Sequence, residues 1–289
     1  MPVKTDSPTV DRPSTGDSQS GIKDITRPSR SKLKGKPLYR LLSVTSIAIA
    51  LGLWWAVTYF DLVNPLFVPA PGKVWAAFVT ILADGYKGQS LLAHIGSSMR
   101  RLLIAFVFSF GLAVPMGLAS GYFKPFRAVL DPFIEFYRPL PPLAYYTLIV
   151  IWLGIEDGSK IALLFLAGFA PLYLAMVSGV KRVPRDRINA ALSLGSSQWQ
   201  VFTQIVFPSC LPELFTGLRT ALGFMYTTLV AAEMVAAVSG IGWMVLDASK
   251  FLRSDIIFVG IFIMGAIAIA LDSGLRWLQA RYLPWVGKE

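Results

Sequence analysis

Glu233 stands alone as an ionisable side chain in the otherwise apolar and neutral run from Thr220 to Leu246. An acid in such a run is by default a functional candidate: it either faces a solute pathway or pairs structurally with a neighbouring helix. Tyr145 and Tyr146 follow Pro139, Pro141 and Pro142, which set the start of an apolar segment, and are candidates to line a pathway. Arg219 either fixes topology at the end of an apolar run or attracts a departing anion. His94 is the single histidine and Cys210 the single cysteine, which excludes an intrachain disulfide and offers no metal cluster. His94, close to Arg100 and Arg101, reads as an interfacial polar residue. Catalysis has nothing to work with: no nucleophile or paired acid–base set stands out, and no cofactor is expected in this chain. The phosphate-cradling GxxxxGK[ST] pattern is absent, so any ATP that drives the protein is bound, with Mg, by another chain.

The elements that would position these residues are membrane spans. Of 289 residues, 54% are hydrophobic and 15% charged, with a net charge of +10; soluble domains average about 25% charged. Charge-free runs occupy Leu41–Phe60, Leu102–Phe123, Pro139–Ile155 and Ile161–Val180. Thr220–Leu246, broken by Glu233, and Ile256–Leu271 complete the set. Each approaches the roughly 20 residues that cross about 30 Å of hydrocarbon. The expectation is an all-α membrane protein of six helices: 38–61, then about 102–123, 139–156, 160–180, 214–237 and 255–273.

Lys and Arg accumulate on the cytoplasmic side, and 20 of the 27 fall on one side of this arrangement. That side holds the 1–37 tail with Arg40, the 122–138 loop, the 181–213 loop with Arg219, and the 277–289 tail with Arg276, so both termini are expected in the cytoplasm. The 1–37 tail is too poor in apolar side chains to offset its ordering entropy, and reads as a disordered topogenic segment or a contact for anionic lipid. The outer 62–99 segment carries Pro65, Pro69, Pro71 and Gly72, a rigid turn leading to an interfacial helix over Val74–Ala83.

The 181–213 loop is the longest of the expected cytoplasmic loops. Pro184 breaks the preceding helix. Ile188, Ala191, Leu192, Gly195, Trp199, Phe202 and Ile205 then recur at three- and four-residue steps, one face of a helical segment. Gly195 suits a tight turn between two short helices, and Pro208 and Pro212 are expected to end the segment. Ala190 and Ala191 would let a partner surface approach closely. Periodicity leaves two readings open, a docking element for a soluble motor and an amphipathic hairpin that caps the bundle.

Residues 189–208 resemble the cytoplasmic coupling-loop signature of membrane subunits of binding-protein-dependent ABC importers: Glu-Ala-Ala, three residues, Gly, nine residues, Ile, one residue, Leu-Pro. Ala190, Ala191, Gly195, Ile205 and Pro208 match in spacing, while Asn189 replaces the Glu and Phe207 the Leu. The stretches Asp131–Ala144, Ile151–Lys160, Thr216–Arg219, Leu229–Met234 and Gly240–Met244 look like the branch for taurine, aliphatic sulfonates, nitrate and bicarbonate. The closing Leu278–Gly287 is most similar to taurine permeases.

The resemblance implies a type I importer permease fold with its core over residues 92–276. It implies a homodimer in a bacterial inner membrane, two cytoplasmic ATPase subunits, an extracytoplasmic solute-binding protein and no nucleic-acid partner. Asn189, Ala190, Ala191, Leu192, Gly195, Ile205 and Pro208 would form the ATPase-coupling element. Taurine would present an ammonium to Glu233, although similar nitrate permeases carry a comparable Ala-Glu element, which favours a structural role. The rival from another class is a secondary transporter driven by an ion gradient; sparse intramembrane charge and the lack of an evident internal repeat stand against it.

Overall fold

A computed structural model describes residues 36–284, with side chains from Leu41 onward. Nearly all of the basic tail expected over 1–37, and residues 285–289 of the C-terminal tail, lie outside the described residues. The chain divides into two units, residues 1–53 and 54–289. The described part of the first is helix α1 (Lys36–Tyr59) as far as Leu53. The second carries everything else.

Ten further α-helices follow: α2 (Pro71–Asp84), α3 (Leu91–Tyr122), α4 (Lys124–Tyr137), α5 (Pro142–Leu153), α6 (Asp157–Arg182), α7 (Arg185–Ser193), α8 (Gln198–Val201), α9 (Phe207–Ala236), α10 (Ile241–Lys250) and α11 (Ser254–Tyr282). No β-strand occurs among the described residues. Leu41–Tyr59, α3, α6, the continuous Gln198–Ala236 rod and α11 are long and apolar enough to cross a membrane. The sixth apolar helix, α5, has 12 residues, about 18 Å at 1.5 Å per residue.

Several expected boundaries shift, each for an identifiable reason. α3 starts at Leu91, not near 102, because the charges at Arg100 and Arg101 are paired within the bundle and do not end the helix. The fifth span ends close to the expected 237, although the apolar run continues to Leu246. The helix stops at Ala236, and Gly240, at φ +122°, turns the chain into the separate helix α10. Pro208 and Pro212 do not terminate the 181–213 segment. Pro208 lies in the first turn of α9, where proline is favoured, Pro212 lies inside that helix, and a π-helical turn (Phe202–Val206) joins α8 to α9 without a break. α4 is a helix inside what read as a simple loop, and α11 extends through Tyr282 instead of stopping near 273.

α6 is the central element, packed along α3 on one side and α9 on the other. Small residues permit the approach. A Cβ on Gly117 would lie 2.7 Å from Met176 Cβ and from the Tyr173 carbonyl oxygen, and one on Gly121 would strike Val180. Where lipid removes the hydrophobic drive between helices, such close backbone packing is the main source of association. The buried seam includes Ala113, Leu172, Tyr173, Met176, Cys210 and Ala221. A second apolar cluster joins Val74, Ala77 and Ile81 of α2 to Met244 and Ala248 of α10 and Ile256 and Val259 of α11.

Candidate functional site

The polar groups of the bundle converge where α9 ends and α10 begins. The first four N–H groups of a helix have no partner within it, and at α10 three of them are met by side chains from other helices. Gly240 N–H donates to His94 Nδ1 (3.2 Å), Ile241 N–H to Ser98 Oγ (3.1 Å) and Gly242 N–H to Glu233 Oε2 (3.0 Å). His94, Ser98 and Arg101 lie at i, i+4 and i+7 of α3, one face of the helix. With Nδ1 accepting, His94 carries its proton on Nε2, 3.2 Å from the Tyr86 carbonyl oxygen. Its ring stacks on Trp243 at 5.6 Å. The expected interfacial position of His94 is corrected: the residue is fully buried.

Glu233 is 1% exposed, and both its carboxylate oxygens accept from groups within the bundle. Ser98 Oγ donates to Oε1 at 2.7 Å, and Arg101 Nη1 donates to the same oxygen at 2.8 Å. Arg101 is the hub, and charge spacing along the chain did not single it out. Its Nε donates to Asp157 Oδ1 (2.6 Å), Nη1 also reaches the Ser239 carbonyl (2.9 Å) and Nη2 the Ser239 hydroxyl (3.1 Å). One guanidinium therefore ties α3 to α6, to α9 and to the turn before α10. Asp157 also pairs with the exposed Arg100. Lys160, 3% exposed, donates to the Ile155 and Glu156 carbonyls. Burying such charges is sustainable only when every group is paired and hydrogen-bonded. Gly240 is fixed by this arrangement, since a Cβ there would overlap the Glu233 carboxylate. At the rim, Tyr86 donates to Asp247 Oδ2 at 2.8 Å, and burial together with that carboxylate pushes its phenol well above the usual range, so it remains a neutral donor.

The 189–208 segment lies at the opposite end of the rod. α7 ends in a Schellman-type turn: Ser196 N–H reaches the Ala191 carbonyl at 3.1 Å and Gly195 N–H the Leu192 carbonyl at 3.0 Å. Gly195 adopts φ +87° with open space around its missing Cβ, so backbone conformation, not crowding, demands glycine. Ser197 and Gln200 form a reciprocal capping box at the start of α8. Asn189, Ala190 and Leu194 are exposed, whereas Ala191, Leu192 and Ile205 are half-buried against the α3–α6–α9 core. Ala191 thus faces the bundle, and Ala190 with Leu194 forms the open corner. Pro208 is half-buried in the first turn of α9. Tyr122 donates to Gln198 at 2.8 Å, which moors the segment to α3, and just beyond it Arg182 of α6 pairs with Glu213 of α9.

The remaining candidates separate. Tyr145 lines a cavity of about 610 Å³ between α5, α6 and α9, together with Tyr137, Arg138, Glu213, Thr216 and Thr220. Tyr146, expected beside it, is 2% exposed among Ile149, Leu163 and Ala232 and is packed into the core. Arg219 pairs through its Nε with Asp272 Oδ1 on α11 at 2.9 Å. No group of three or more His, Cys, Asp or Glu side chains suited to a metal occurs among the described residues.

Comparison with known proteins assigns this arrangement. Residues 111–284 match the family described as binding-protein-dependent transport system inner membrane component. The chain is 44% identical over 248 residues to a taurine transport system permease protein of Escherichia coli, covering 86% of this chain and 90% of that protein. It is 31% identical over 233 residues to a putative aliphatic sulfonates transport permease protein of Escherichia coli, covering 81% and 87%. A bicarbonate transport system permease protein of Synechocystis is 27% identical over 240 residues, covering 80% and 85%. Membrane-crossing helices, a type I permease fold and a family match over more than half the chain agree: this protein belongs to the inner-membrane permease components of binding-protein-dependent ABC transport systems.

Proposed function

We propose that this chain is the membrane subunit of an ATP-driven importer that carries taurine, or another small sulfonate, from an extracytoplasmic binding protein into the cytoplasm. The observation that carries the substrate class is the 44% identity over 90% of a taurine permease, against 31% or less for the sulfonate and bicarbonate permeases compared above. Two copies of the chain would pair so that their Tyr145-lined cavities face a common pathway. Two ATPase subunits, binding ATP and Mg, would grip the corner formed by Asn189, Ala190, Gly195 and the exposed Leu194. Ala191, Leu192 and Ile205, as their packing against the core supports, would pass the movement inward with Pro208. This chain supplies no catalytic step: its task is to hold two arrangements that nucleotide biases differently.

Reconstitution with the partner ATPase and binding protein tests the reading. Taurine uptake into vesicles should require ATP and the binding protein, and exceed uptake of nitrate and bicarbonate. Uptake that persists without either component, driven by an ion gradient, would falsify it.

A further inference from the structure

The rod Gln198–Ala236 has 39 residues, roughly 58 Å at 1.5 Å per residue. The exposed α7–α8 corner leads directly into one end. The other end carries Glu233 in its last turn, one helical turn before the chain breaks at Ala237. Every side-chain partner of that carboxylate is on α3: Ser98 and Arg101. Arg101 in turn holds Asp157 at the start of α6 and both polar groups of Ser239. Its side chain is 4% exposed and that of Glu233 is 1% exposed. A single guanidinium fork thus fixes the far end of the rod to two neighbouring helices and to the turn that launches α10. A π-helical turn and two prolines near the other end depart from the regular α-helical hydrogen-bond ladder.

We propose that Arg101 is a positioning residue for transport: it anchors the end of the rod opposite the α7–α8 corner, so that displacement of the corner reaches the α10 turn instead of dissipating in the bundle. This deepens the proposed function and rests on it. Arg101 touches no solute and acts through Glu233, Asp157 and Ser239. Lysine is not an equivalent anchor, because a point charge cannot reproduce the planar fork that serves several acceptors at once.

The complete reconstituted transporter tests this through the amount of substrate moved per ATP hydrolysed, a ratio that a loss of folded protein leaves unchanged. Arg101→Gln should lower the ratio by about tenfold while hydrolysis persists, and Arg101→Lys should fall in between. Arg100→Gln, at an exposed position, should match wild type. An unchanged ratio for Arg101→Gln, or transport and hydrolysis falling in step, overturns the proposal. Should that variant fail to fold, Asp157→Asn weakens the α6 attachment of Arg101, along with the exposed Arg100 pair for which Arg100→Gln is the control. A partial fall in its ratio supports the anchor, and none overturns it. A wild-type complex that moves none of taurine, an alkanesulfonate and bicarbonate fails the functional reading alone. The anchor is then read from the ATP-dependent change in distance between spin labels at Leu194 and Lys250: loss of that change in Arg101→Gln supports it, and persistence overturns it.

Discussion

Gly195 illustrates how one residue type can serve a turn without being crowded. Its φ of +87° lies in the left-handed region, yet nothing lies within 4 Å of where a Cβ would be. Substitution therefore costs backbone strain alone, about 1–2 kcal/mol for an ordinary L residue and less for asparagine, which visits this region readily. Gly195→Asn should retain transport close to wild type. Gly195→Val, β-branched as well as strained, should uncouple ATP hydrolysis from transport while inserting normally into the membrane. Measured uptake for Gly195→Val equal to wild type would remove the turn from the coupling element. The spacing Ala190-Ala191…Gly195…Ile205…Pro208 made this turn legible in the sequence. Which alanine faces out was not legible, because a helix face is assigned only by what packs against it. Arg101 was missed for a related reason. Beside Arg100 it read as the edge of a span, and only the i, i+4, i+7 alignment of His94, Ser98 and Arg101 hinted at a polar face turned toward α9 and α10.

Among the elements, the α3–α6 seam depends on a small-residue pair that was present in the sequence as Gly117 and Gly121, the four-residue spacing by which helices approach in lipid. Gly117→Val would place methyl groups against the Tyr173 backbone and the Met176 side chain. Overpacking of this kind costs about 1–3 kcal/mol, and thermal unfolding of the purified protein in detergent should show it as a lowered midpoint. Gly111→Val is the matched control on the same helix, since no atom lies within 4 Å of that position. Equal midpoints for the two variants would show that the seam relaxes without cost. Boundaries at this scale were the least legible feature. Charge-free runs mark where helices are surely apolar, but helices continue through charges that find partners, as α3 does through Arg101. They also stop inside apolar stretches where a glycine such as Gly240 turns the chain.

For the whole molecule, five helices long enough to cross and the 12-residue α5 leave one topological question with a measurable answer. If α5 completes a crossing, the number of spans is even and the two termini share a side. Reporter fusions at each end should then both register as cytoplasmic, in keeping with the 20 of 27 basic residues assigned to that face. Termini on opposite faces would show that α5 enters without crossing. By itself the sequence determined the solvent of this protein and its helical class, and marked the polar 181–213 segment as helical and one-faced. Those features depend on composition, periodicity and local spacing, which survive without a fold. The tertiary structure decided that Glu233 is a cap for α10 held by Arg101, that Tyr146 is core while Tyr145 lines a cavity, and that Arg219 is paired with Asp272. Each of those outcomes joins residues far apart in the chain. A charge in an apolar run has no determinate role until the fold selects its partner.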